Sequence, residues 1–325
     1  MNIRQGKAAC VYQKYWSRNF MPLGKSVQNA PQQSPAKTAG ADIEFELLDP
    51  QFTLDDIIVS SETAHEISGL ISLKKNHEIV FDVMGFSATH RKSKKFIVNF
   101  YGEPGTGKTI TAHAIAKEFG KKLLLVDYSQ IESKYVGDTP KNLKKVFDFA
   151  RTQNCIIFFD EADAILSRRV TNMQSSTDTS VNQTRSVLLN ILNDFDGDVI
   201  FATNFISNYD AAFMRRISKH VRFCLPDLRV RKLLVQKYIP QAMAGIDYDR
   251  LGNISDGLSA ADIENATLMA AFSAVSDGRV VMSTHDIELQ MNAVKNSKMS
   301  NSPQAELLAQ RYVSEEYVHK QLGVN

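Results

Sequence analysis

The stretch "GEPGTGKT", Gly102–Thr109, satisfies the spacing GxxxxGK[ST] without departure. Glycines at 102, 105 and 107 free the backbone to wrap a compact anion and aim successive N–H groups at its oxygens. Lys108 supplies a charge for the outer phosphates of a nucleotide, and the Thr109 hydroxyl suits a place on Mg²⁺. Glu103, Pro104, Thr106 and Ile110 complete the candidate nucleotide-binding segment. The motif follows an apolar run at 96–101 and opens a helical stretch at 108–119, so the helix amino end adds its positive dipole.

Fifty-two residues beyond Lys108, "IIFFDEADAIL" places two acids, Asp160 and Glu161, at the end of a buried strand. Ligands bind at that end of an open α/β sheet. Asp160 is the candidate holder of Mg²⁺ through water, and Glu161 the candidate group that polarises an attacking water. Asn204 ends the next strand, in "VIFATNF", where its amide can orient water beside a γ-phosphate. Arg215 and Arg216 follow eleven and twelve residues later, ahead of another apolar run. Their charges suit arginine fingers reaching a neighbouring subunit's nucleotide.

The elements that must position these groups are legible as punctuation. Short runs at 96–101, 122–126, 155–160, 198–203 and 220–224 are rich in Ile, Val and Phe and alternate with helical stretches at 108–119, 140–152 and 181–194. That alternation predicts a parallel sheet covered on both faces. Beyond Pro226 the strands stop, and helical segments near 228–239, 259–275, 284–295 and 304–321 follow. The expected organisation is a basic arm at 1–22, a flexible Pro/Gln/Ser-rich linker at 23–49, an α/β domain at 50–226, a helical lid at 227–297 and a C-terminal helix or tail at 298–325.

Composition narrows the class. With 325 residues, 43% hydrophobic, the chain can build one or two packed cores. A formal charge of +2 gives no global pull toward nucleic acid or a membrane surface. The cations Arg4, Lys7, Lys14, Arg18, Lys25 and Lys37 precede the first acid, so the arm is basic and the remainder acidic. Three separated cysteines without a CxxC pair read as free thiols, those at 155 and 224 buried in apolar runs. No apolar run approaches a membrane span, and a cytoplasmic location is the expectation. His65-Glu66 and His77-Glu78 do not continue as HExxH, so zinc-protease chemistry is set aside in favour of a helix surface. Met269, in "ATLMAAFSAV", falls at helical core spacing.

Taken together, residues 50–295 resemble an AAA ATPase: "GEPGTGKT" is similar to Walker A, "IIFFDEAD" to Walker B, Asn204 to sensor 1, and "GLSAADIENA" to the sensor-2 segment, with small residues such as Ala261 at the nucleotide. The resemblance implies a P-loop NTPase sheet of order 5-1-4-3-2, a four-helix lid, ATP and Mg²⁺ as cofactors, and a homohexamer with ATP at each interface. It places the start of an adenine pocket at "FTLDDIIV", with Asp56, Ile57 and Ile58 as candidates. It likens "SKYVGD" to a first pore loop, in which Tyr135, flanked by Lys134 and Val136, grips a polypeptide client, and 168–180 to a second. The arginine pair and "LPD" ending resemble katanin, spastin and small bacterial AAA proteins, some of them HORMA-domain remodellers. The expected activity is ATP hydrolysis driving protein remodelling or disassembly, with the basic arm as an adaptor contact. The alternative is a nucleic-acid-associated ATPase of helicase or clamp-loader type, against which the tyrosine loop and the missing sensor-2 arginine argue.

Overall fold

Strands that are apolar at every position need cover on both faces, and the computed structural model shows that arrangement. It describes residues 46–89, 95–127, 138–166, 176–204 and 209–300. The sheet contains β1 (Glu46–Leu48), β2 (Phe96–Gly102), β3 (Leu123–Asp127), β4 (Ile156–Asp160), β5 (Asp198–Thr203) and β6 (Lys219–Phe223). In space the order is β1-β3-β4-β5-β2-β6. All neighbours are parallel except β1, which pairs antiparallel with β3, Leu47 opposite Leu124. Glu46–Leu48 therefore form an edge strand where the sequence reading extends the linker to residue 49. Three residues show no period of their own; their strand exists through pairing with β3.

Alternate residues of each strand feed different cores. Ile97, Ile157, Phe159 and Phe201 face α3 (Asp138–Gln153) and α5 (Ser176–Asp194). Phe96, Val98, Phe100 and Phe158 face α1 (Ser61–Lys75) and α2 (Lys108–Glu118). One polar side chain interrupts this pattern. Asn99 is fully buried in β2, its Nδ2 donating to the Tyr209 hydroxyl at 3.3 Å and lying 3.4 Å from Nδ1 of its register partner His220. Thr203 Oγ1 approaches Asn99 Oδ1 at 3.5 Å, so a satisfied polar network ties β2, β5 and β6 together. Asp198, buried at the start of β5, is neutralised by Lys74 and by Lys121 at 2.9 Å.

The short helices α4 (Asp163–Leu166) and α6 (Ala211–Met214) follow β4 and β5. The lid comprises α7 (Leu228–Tyr238), α8 (Tyr248–Ile254), α9 (Ala260–Ser276) and α10 (Thr284–Ser300) around a separate core that includes Leu234, Ile263, Ala270 and Met291. Asp227, Asp247 and Ser259 cap the first three by accepting backbone N–H groups. Helix α8, seven residues long, is too short for a visible apolar period and is absent from the sequence reading. The helix expected at 304–321 lies outside the described residues.

Two core assignments need correction. Met269 is exposed, because α9 turns its small side, Ala266, Ala270 and Ala274, to the core. Cys224 is half-buried, unlike the buried Cys155; it lies just past the end of β6. His65 does lie exposed on α1; His77 sits just beyond it, its ring stacked on Phe81 at 4.5 Å.

Candidate functional site: a phosphate cradle roofed by the lid

The phosphate loop connects β2 to α2 at the point where the strand order reverses. β2 has β5 and β6 as neighbours, while the next strand in sequence, β3, lies beyond β5 and β4. Two glycines are dictated by close packing. A Cβ on Gly102 would lie 1.9 Å from the Phe223 carbonyl oxygen of β6. A Cβ on Gly105 would meet Ser259 Oγ at 2.7 Å and Ala261 Cβ at 2.8 Å, because the amino end of α9 rests on the loop. Ala261 N donates to Gly105 O at 3.1 Å, which fastens the lid to the loop directly.

Lys108 opens α2 yet is only 8% exposed. Its Nζ donates to Gly102 O at 2.6 Å, Glu103 O at 3.0 Å and Asn204 Oδ1 at 3.0 Å, all uncharged oxygens. Burial pushes its pKa down, opposed by the more distant Asp160, Asp163 and Glu103. A buried ammonium held by neutral acceptors is a charge prepared for an incoming anion.

Beside it, Thr109 Oγ1 donates to Asp160 Oδ2 at 3.2 Å, and the other oxygen of Asp160 accepts Glu161 N–H at 3.0 Å. Glu161 has φ +49°, an uncommon conformation for a residue with a side chain, and is exposed. The backbone turns here because Ala162 N donates to Ala202 O at 2.9 Å, folding the end of β4 over β5. Asn204 is oriented in the same way, its N–H donating to Asp163 Oδ2 at 3.0 Å.

These groups line one cleft of about 290 Å³. It contains Pro104, Gly105, Gly107, Lys108, Thr109, Ile110, Asp160, Glu161, Asn204 and Ala261 from the sequence reading, and adds Tyr238, Ala260 and Glu264. Gly102, Glu103 and Thr106 support the loop from beneath; Thr106 Oγ1 donates to Glu103 O at 2.7 Å. Tyr238 and Glu264 escaped the sequence reading because each belongs to a helix whose facing neighbour is set by tertiary packing. The signal available for Glu264 was its i+3 spacing from Ala261.

The residues suit nucleotide phosphates and Mg²⁺. A hydroxyl beside one carboxylate is the sparse oxygen set that Mg²⁺ uses when phosphates and water complete its shell. Among the described residues no cluster of three or more His, Cys, Asp or Glu forms an all-protein metal cage.

Other candidates are placed elsewhere. Asp56, Ile57 and Ile58 lie outside the set that lines the cleft. Asp56 closes a capping box with Thr53, whose backbone and side-chain hydrogen bonds lower its pKa. Ile57 packs under the sheet, and Ile58 against the lid core. Lys237 Nζ donates to Asp56 O at 2.6 Å. Arg215 and Arg216 are at the opposite edge, before β6, on a cavity of about 1130 Å³ that also takes in Lys95 and Asn193. Arg216 Nε donates to Asn193 Oδ1 at 2.9 Å and Arg215 Nε to Ala211 O at 3.2 Å. Lys134, Tyr135 and Val136 lie outside the described residues, as do 168–175; residues 176–180 open α5.

The model of the ATPase family associated with various cellular activities (AAA) matches residues 98–225. The chain is 30% identical over 277 residues to the proteasome-activating nucleotidase of Sulfurisphaera tokodaii, covering 81% of this chain and 68% of that protein. It is 30% identical to a probable 26S proteasome regulatory subunit 4 of Caenorhabditis elegans (78% of this chain, 58% of that one). It is 31% identical to 26S proteasome subunit RPT4 of Saccharomyces cerevisiae (75% and 56%). The chain thus spans little more than half to two thirds of these relatives. The likeness is to ATPases of the proteasomal type, not specifically to katanin, spastin or HORMA remodellers. With its phosphate cradle, its lid and a relative matched over most of both lengths, the chain belongs to the AAA family of ATP-hydrolysing enzymes, as a single AAA module.

Proposed function

We propose that this protein hydrolyses ATP to ADP and phosphate in a homohexameric ring and uses that energy to remodel or unfold a protein client drawn through the ring's centre. The observation that carries the reading is the convergence of Lys108, Thr109, Asp160, Glu161 and Asn204 on one cleft whose roof is bonded to the phosphate loop. On ATP binding, Lys108 exchanges its neutral acceptors for phosphate oxygens, and the loop N–H groups hold the remainder. Thr109 and Asp160 would hold Mg²⁺, which neutralises charge on the phosphates when bound. Glu161 takes a proton from the attacking water, and Asn204 orients that water.

The arginines act on another copy. β2 spans seven residues, so the edge carrying Arg215 and Arg216 is about 20 Å from the phosphate loop at ~3.3 Å per residue. That exceeds the reach of an arginine side chain within its own subunit.

Tyr135 is proposed as the client grip: a large apolar ring, presented by each subunit, that binds a strand by avidity. The test pairs ATPase rate with client unfolding on one preparation of Tyr135→Ala. Assembly and hydrolysis within a few-fold of the parent, with unfolding lost and restored by Tyr135→Phe, is the expected result. Unfolding equal to the parent's would remove the threading mechanism.

A further inference from the structure

The lid side of the cleft carries two polar groups that phosphate chemistry does not use. Helix α9 begins on the phosphate loop, with Ala261 against Gly105, and Glu264 follows on the same face one turn later. Three residues of helix advance ~4.5 Å along the axis. Glu264 therefore addresses the part of a bound nucleotide next to the phosphates, which is the sugar. Tyr238, at the end of α7, lines the same wall and has Glu264 as its side-chain partner. The other lid residues of the cleft, Ala260 and Ala261, offer no polar side chain.

We propose that Glu264, oriented by Tyr238, accepts hydrogen bonds from the ribose hydroxyls of the nucleotide and makes the cleft selective for ribonucleotides. The inference rests on the ATP reading above and adds a specificity-determining residue to it.

An ionised carboxylate only accepts hydrogen bonds and is repelled by phosphate, so it must be satisfied by donors on the nucleoside. The vicinal hydroxyls of ribose are the nearest such donors. Carboxylates serve this role toward ribose in other α/β nucleotide sites. The Tyr238 phenol is pushed up to about 12, by burial first and then by Glu264, so it stays protonated and donates to the carboxylate. One carboxylate oxygen is thereby held and the other left for the sugar. Glu264 is exposed on α9, so its replacement does not disturb the lid core.

The experiment uses the full chain and calorimetry with ADP, 2′-deoxy-ADP, 3′-deoxy-ADP and IDP, none of which requires turnover. The parent should bind ADP at least about tenfold more tightly than one or both deoxy analogues, since a site built to pair a hydroxyl rejects the analogue lacking it. Glu264→Ala should bring those ratios to within about twofold by weakening ADP while leaving the deoxy analogues nearly unchanged. Tyr238→Phe keeps the ring and should fall between. Unchanged ratios in Glu264→Ala with ADP still bound would overturn the inference and leave the ATP reading standing. A change confined to the ADP/IDP ratio would turn the carboxylate toward the base and overturn it equally. A parent that binds no ADP would bring down the nucleotide reading and this inference with it.

Discussion

The two edges of the central sheet hold charge in opposite ways. At the carboxyl edge, Lys108 is buried, its three hydrogen bonds all internal, and the Asp160–Thr109–Glu161 group is set by backbone turns that leave little freedom. At the amino edge, Arg215 and Arg216 are held mainly by short-range contacts, to carbonyls of α6 and to Asn193, beside a cavity roughly four times larger than the nucleotide cleft. One edge is closed around a small anion; the other is open at the scale of another protein surface. The comparison teaches that a single chain carries two unlike half-sites, and that they are kept apart by the length of the strands between them.

The largest expected effect tests that separation. Arg216→Ala should lower ATP turnover about 10³-fold, the scale of an arginine finger, without weakening ATP binding to its own cleft. Lys108→Ala should abolish that binding. Mixed together, the two inactive variants should regain ATPase activity, because some interfaces then combine an intact cradle with an intact arginine. No recovery, in rings shown by mass to contain both variants, would mean that the edges do not cooperate between copies.

Within the carboxyl edge, Glu161→Gln should keep ATP affinity within a few-fold and lower kcat about 10²–10³-fold, the loss of a group needed mainly in the transition state. Single-turnover hydrolysis beside equilibrium ATP binding would separate the two quantities. Parental turnover would remove Glu161 from the chemistry.

A smaller change would sharpen how the lid closes the cradle. Gly105→Ala puts a methyl group against Ser259 and Ala261 and keeps φ +71°. The strain costs about 1–3 kcal/mol and should weaken ADP binding about tenfold by lifting α9. Calorimetry with ADP checks this, and parental affinity would show that the lid yields without cost.

The smallest effect concerns the cap of α9. Asp262 completes the capping box with Ser259 and is paired with Lys298. Burial raises its pKa, but Lys298 and Ser259 outweigh that and hold it below the usual carboxylate range. Since the folded value is the lower one, its stabilisation is present above about pH 4 and is lost as pH falls through the folded pKa. Asp262→Asn should therefore cost about 1 kcal/mol at neutral pH and little in acid, read from melting curves at both. Equal losses at the two pH values would discard the charge contribution.

Much of this protein was determined by sequence alone because the causes are local. The phosphate loop needs glycines where φ is positive and a helix immediately after, and "GEPGTGKT" states both. Apolar runs buried on two faces announce five strands, and Asp227 and Ser259 announce the starts of two lid helices. Other features were decided only in three dimensions. Three residues at 46–48 became a strand by meeting β3, and Asn99 is tolerated in the core because Tyr209, Thr203 and His220, more than 100 residues away in sequence, satisfy its amide. Glu264 and Tyr238 reach the nucleotide cleft because α9 leans on Gly105, and Arg215 and Arg216 face away from it because β6 runs parallel to β2. Steric and periodic constraints act over a few residues and are written along the chain, whereas which surfaces meet depends on the summed packing of all the elements.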